Sequence, residues 1–187
     1  MPAQIGLSDL YYALLTTDAV DATPVYATPV HIAGAISAKI NPNTDNATLF
    51  ADNGPQEVAT ALGAIDLELN VVDLELPVQA ALLGHTYSAN GILKRKGSDT
   101  PPWVAIGFKS LKSNGKYRFT WLTKGKFAAP EQANDTKNDK VNFQTPTIKG
   151  SFVKRDWDSE WERHIDEDDT AYDSSVGTSW FTAVNQS

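Results

Sequence analysis

Hydrophobic and polar residues alternate most regularly over residues 64–71, where Ile65, Leu67, Leu69 and Val71 share one parity and Asp66, Glu68 and Asn70 the other. Period-two alternation marks a β-strand with one buried and one wet face. This stretch is therefore predicted to be a strand whose wet side is acidic. A second alternating pair spans residues 103–127. Val104, Ile106 and Phe108 alternate going out, Tyr117, Phe119 and Trp121 coming back, and Asn114-Gly115 between them suits a tight hairpin turn. A two-residue turn there sets Phe108 opposite Trp121 and Ser110 opposite Phe119. In that register Val104, Ile106, Phe108, Phe119 and Trp121 fall on one face and build one core layer, while Lys109, Arg118 and Thr120 fall on the other.

Further strands are predicted over residues 7–17, 30–40, 147–154 and 179–184. Residues 73–84 switch to helical spacing: Pro77 suits a first turn, Val78, Ala81 and Leu82 share a packing face, and Gly84 is a stop. Residues 41–61 carry turn signals at Asn41-Pro42-Asn43 and at Asp52-Asn53-Gly54-Pro55, and read as one long loop. Loops of about 20 residues are uncommon in compact domains and usually functional. Residues 85–102 read as a polar loop with a basic Lys94-Arg95-Lys96 patch, residues 128–142 as an exposed loop, and residues 155–187 as an acidic and aromatic C-terminal arm. The expected fold is mainly β: a single domain over 1–187, an antiparallel sandwich or partial barrel with one short flanking helix.

Composition narrows the chemistry. A chain of 187 residues suits one core. It has no cysteine, which removes disulfides and thiolate catalysis and fits maturation in a reducing compartment. The start lacks a basic segment followed by a long apolar run, so no secretory signal is expected, and no eighteen apolar residues run together to span a membrane. A net charge of −7 argues against gripping phosphate backbones, though not against a wall that nucleic acid slides past.

No catalytic constellation stands out. His31, His85 and His164 lie in different elements without metal-ligand spacing, so no metal or cofactor is expected. Asp66 and Glu68 have the composition of a glycosidase pair, but two acids on one strand face are more simply a solvated face. The acidic residues of 156–169 lack the glycine and ligand spacing of a calcium loop. Five tryptophans admit a sugar-stacking sandwich, with Trp103 and Trp121 as the candidate platforms.

Many short segments, in order along the chain, resemble the major tail proteins of long-tailed phages, the phi13-like tail tube family. They include Gly6-Leu-Ser-Asp-Leu-Tyr-Tyr-Ala13, Ala51-Asp-Asn-Gly-Pro55, Val78-Gln-Ala-Ala-Leu-Leu-Gly-His-Thr-Tyr87, Gly107-Phe-Lys-Ser110, Lys112-Ser-Asn-Gly-Lys-Tyr-Arg118 and Lys124-Gly-Lys-Phe127. Phe143-Gln-Thr-Pro146, Phe152-Val-Lys-Arg-Asp156, Asp166-Glu-Asp-Asp169 and Trp180-Phe-Thr-Ala183 continue the match. None is a catalytic signature.

The resemblance implies a non-enzymatic virion protein whose copies close into hexameric rings and stack into a tail tube for DNA passage, assembled in the host cytoplasm. Its implied partners are itself and the tape measure, tail-tip and tail terminator proteins, with no membrane and no specific DNA binding. On that reading residues 41–61 reach the next ring through Leu49, Phe50, Asp52, Asn53 and Gly54, and Asp66, Glu68 and Asn70 line the lumen. The alternatives are a terminator or connector ring, which closes without stacking, and a carbohydrate-binding sandwich.

Overall fold

The computed structural model describes residues 2–51, 54–130 and 145–184, and everything below concerns these. The chain order is β1 (Gln4–Ala19), β2 (Ala22–Tyr26), β3 (Val30–Ile32), β4 (Ala35–Ala51), β5 (Gly54–Val71), α1 (Leu76–Leu83), β6 (Thr86–Tyr87) and β7 (Leu93–Lys94). It continues through β8 (Val104–Lys112), β9 (Tyr117–Phe127), β10 (Thr147–Phe152), β11 (Glu162–Asp166) and α2 (Ser174–Ser179). The main sheet runs β2-β1-β8-β9-β10-β5-β4, with β3 added beside β1 and β11 beside β9, and it does not close into a barrel. All its ladders are antiparallel. The mainly β antiparallel fold with a short flanking helix is as the sequence predicts.

One face of the curled sheet encloses the main core. Leu10 and Tyr12 of β1, Ile65, Leu67, Leu69 and Val71 of β5, Val104, Ile106 and Phe108 of β8, and Phe127 and Phe152 meet there, with Val78 and Leu82 of α1 packed among them. Ala81 packs partly buried against the same core. The helix starts with a proline in its first turn and ends at Gly84, as its spacing predicts.

The hairpin of β8 and β9 corrects the predicted register. Lys109 lies opposite Phe119, Phe108 opposite Thr120, and Gly107 opposite Trp121, one residue away from the expected pairing. The reason is the turn. The Gly115 N–H donates to the Lys112 carbonyl and Gly115 has φ 78°, so Ser113-Asn114-Gly115 forms a three-residue loop, a type I turn closed by a left-handed glycine. A one-residue slip sends every side chain of a strand to the opposite face. The five residues expected in one layer therefore divide: Val104, Ile106 and Phe108 enter the main core, and Phe119 and Trp121 lie on the reverse face with Ala13 and Ala105.

That reverse face would expose an indole and a phenyl ring, and the C-terminal segment covers them. Trp180 and Val184 are buried there, with Ile165, Val176 and Phe181 packed around them, and Trp121 Nε1 donates to the Trp180 carbonyl at 3.0 Å. The predicted arm over 155–187 is thus a clasp through residue 184, and the predicted terminal strand at 179–184 is the end of α2 and a turn. The alternating text there serves burial of aromatic rings, not a ladder.

Two further expectations change. The strand predicted over 30–40 is split by Gly34, whose φ of 76° no branched side chain adopts readily and whose Cβ would lie 3.1 Å from Val72. Ile36 beyond it is 47% exposed. The loop predicted over 41–61 is a ladder: β4 and β5 pair continuously from Ala35 with Val71 out to Ala51 with Gly54. Pro42 does not break it because β4 is the sheet edge, where a missing N–H costs no ladder bond, and a register shift between Pro42 and Thr44 absorbs the irregularity.

Candidate assembly surfaces

The outward side of β5 carries the predicted lumen residues. Asp66 is exposed, and Glu68 and Asn70 are half-buried. Directly opposite residues share a face, so neighbouring strands complete three rows: Ser37-Asn70-Thr147, Lys39-Glu68-Lys149, and Asn41-Asp66-Ser151-Lys126. The face that looks acidic along one strand is charge-mixed across the sheet, with three lysines beside two acids. Glu68 pairs with Lys149 at 3.4 Å, Asn43 donates to Asp66 at 2.9 Å, and Asn70 Nδ2 donates to Thr147 at 3.3 Å.

Beyond Asn43 and Gly63 the two long strands leave the sheet. From Thr44 to Ala51 the only ladder partner of β4 among the described residues is β5, which has already left β10. At about 3.3 Å per residue, those eight residues make a ribbon roughly 25 Å long. Leu49 lies opposite Glu57, Phe50 opposite Pro55, and Ala51 opposite Gly54. Asp52 and Asn53 lie outside the described residues.

On the concave side, residues of β1, β4, β8, β9 and β11 line a cleft of about 520 Å³. Leu7, Ile36, Ile40 and Phe108 supply its apolar walls, and Ser110, Thr120, Glu162 and His164 its polar ones. Burial pushes the Glu162 carboxyl above the usual glutamate range, outweighing the opposing pull of His164 and Arg118. Arg118 also lines a smaller adjoining pocket with Lys112, Asp166, Asp168 and Asp169.

Two ion clusters pin the C-terminal clasp to the sheet. At one end Arg118 holds Asp166 through two hydrogen bonds, and Lys112, only 4% exposed, lies between Asp166 and Asp168. The Arg118 guanidinium holds the Asp166 carboxyl well below the usual carboxylate range, with Lys112 adding to it. At the other end Lys124 bridges Asp18 at 2.7 Å and Asp156 at 2.9 Å. Burial pushes Asp18 up, but the Asp156 N–H and the Lys124 ammonium prevail and hold it low. Arg155, buried, grips Asp158 and Glu160 beside them. Except for the local pairs of Arg155, these partners sit tens of residues apart in sequence, and the acid run reads as a solvated segment there. Lys112, on the strand parity of Val104, Ile106 and Phe108, was the available signal.

The aromatic and histidine candidates are spread out. Trp121 is buried, whereas Trp103 is 37% exposed with Lys124 and Lys126 at 5.0 and 4.5 Å from its ring centroid, so cations occupy the space a sugar would need. His31 packs edge-on against Tyr11, His85 Nδ1 is 2.8 Å from Asp99, and His164 lines the cleft. Among the described residues no three His, Asp or Glu side chains are grouped to hold a metal ion, and no helix is long and apolar enough to cross a membrane. Neither the protein-family models nor the curated proteins contain a match to this chain.

Proposed function

We propose that this protein is a structural subunit that polymerises through its own copies into stacked rings, six chains to a ring, forming a phage tail tube through which DNA passes. The observation that carries the reading is the ribbon of β4 and β5. A two-stranded ribbon alone is marginal in water, so one that leaves its own sheet for roughly 25 Å is stabilised by what it docks on, and a neighbouring subunit is the occupant the reading requires. Among the described residues the edge of β4 along residues 35–43 is a second unpaired surface, ready to extend a sheet from one copy to the next. The mixed face of Lys39, Glu68, Lys149, Asp66 and Lys126 lines the channel, where balanced charge neither traps nor strongly repels a phosphate backbone. The tube meets the tape measure, tail-tip and terminator proteins at its ends, and the protein is not an enzyme.

The test is deletion of residues 48–55 followed by negative-stain electron microscopy of dilute and concentrated protein. The full chain is expected to form tubes with a central channel, and the shortened chain to remain folded and unpolymerised. Long tubes from the shortened chain would overturn the role of the ribbon. Rings of the full chain that never stack would assign a terminator instead.

A further inference from the structure

The β6–β7 hairpin and its following loop form a knob toward the opposite end of β8 from the cleft. The knob enters β8 at Val104, whereas Phe108 and Ser110 of the cleft lie toward its far end, with Ser110 about 20 Å along the strand. Thr86 pairs with Lys94 and Tyr87 with Leu93, and the turn is closed by the Ser88 N–H donating to the Ile92 carbonyl and the Ile92 N–H donating to the Ser88 hydroxyl. The knob is held rigidly from below: Asp99 takes His85 Nδ1 at 2.8 Å and the Lys96 N–H at 2.8 Å, and Arg95 donates to Gln79 of α1 at 2.9 Å. Its outer surface has two characters. Ile92 is 53% exposed and Tyr87 43%. Beside them Lys94, Arg95 and Lys96 are exposed and basic.

The cleft has the matching characters. Its walls are apolar at Leu7, Ile36, Ile40 and Phe108, and Glu162 within it has no ion-pair partner among the described residues. The adjoining pocket, sharing Arg118, adds Asp166, Asp168 and Asp169. The acids at that end outnumber the bases that pair with them, whereas the knob carries an excess of bases. Apolar area meets apolar area and opposite charges meet, the arrangement that fixes register between partners. A preorganised knob loses little freedom on binding.

We infer that the knob of one copy seats in the cleft of the next, Ile92 and Tyr87 against Leu7, Ile36 and Phe108, and Lys94 and Lys96 toward Glu162 and Asp169. Two different surfaces make such a contact heterologous, so it propagates from copy to copy instead of ending at a dimer. It rests on the self-assembly proposed above but involves different residues from the ribbon.

The absence of cysteine makes the test direct. Ile92→Cys and Ile36→Cys, combined in one chain and oxidised, should give a ladder of covalent multimers on a non-reducing gel, at least about tenfold above a control pairing Ile92→Cys with Val25→Cys. Mixing the two single variants should give a heterodimer band in similar excess. Separately, Lys94→Glu with Lys96→Glu should raise the concentration needed for assembly by about tenfold or more, and adding Glu162→Lys should recover part of it. Tubes that form normally in the charge variants, with cross-linking no better than control, would overturn the knob contact and leave the tube standing. Absence of both cross-links and any polymer at high concentration would overturn both.

Discussion

Gly107 lies directly across the β8–β9 ladder from Trp121, and a methyl group on Gly107 would sit 2.7 Å from the indole ring. The indole occupies the space a side chain would fill, and the pairing exists only in the observed register. Gly107→Ala should destabilise the fold by about 1–3 kcal/mol, the usual cost of overpacking. Urea denaturation followed by circular dichroism measures it, and Trp121→Phe in the same chain should restore part of the loss.

Trp180 closes the reverse face over Phe119 and Trp121. Trp180→Ala removes that cover and leaves the Trp121 ring facing a cavity, at a cost of about 3–5 kcal/mol. The expected signature is a lower melting temperature with increased binding of an apolar dye. An unchanged melting temperature would mean that the C-terminal segment does not clasp the sheet.

Stability should fall on acidification through the Asp166 cluster. Its carboxyl titrates lower in the folded than in the unfolded chain, so the pair with Arg118 stabilises fully above the unfolded value of about 3.9 and is lost as pH drops below it. Asp166→Asn should be less stable than the parent at pH 7 and lose less between pH 4 and pH 3. Urea midpoints at the three pH values decide it.

The sheet face of Asp66 and Glu68 gives a test of the channel wall. Asp66→Lys with Glu68→Lys adds positive charge beside Lys39, Lys149 and Lys126. Because the site is largely exposed, folding should change by no more than about 1 kcal/mol. Tubes carrying both changes should retain DNA and eject it slowly. Normal ejection would place the channel on another face.

The alternation at Ile65, Leu67, Leu69 and Val71 and the helical spacing at Val78 and Leu82 were legible because each is local and each buries what its period says. The hairpin was legible in existence and not in register, since Asn114-Gly115 fits two turn types and only the packing of Trp121 against Gly107 selects between them. Residues 41–61 were misread because turn residues are tolerated on an edge strand, and edge position is a property of the whole sheet. The charge-mixed face was invisible for the same reason. Lys39 and Lys149 are far from Glu68 in sequence and adjacent to it only through the ladder. The cleft draws on five strands, and no single stretch carries its pattern.

The pairing of β1 with β8 sets a clock on folding. Residues 4–14 find their central partner only in residues 104–112, so β1 leaves the ribosome long before that partner and waits for it. At about 5–20 residues per second that wait is several seconds, and closing so long a loop adds a further entropic delay. During it only the short strands β2 and β3 are available to β1. Neighbouring nascent chains on one messenger would then present the same unpaired strand to each other, so the yield of native subunit should depend on how densely the message is translated.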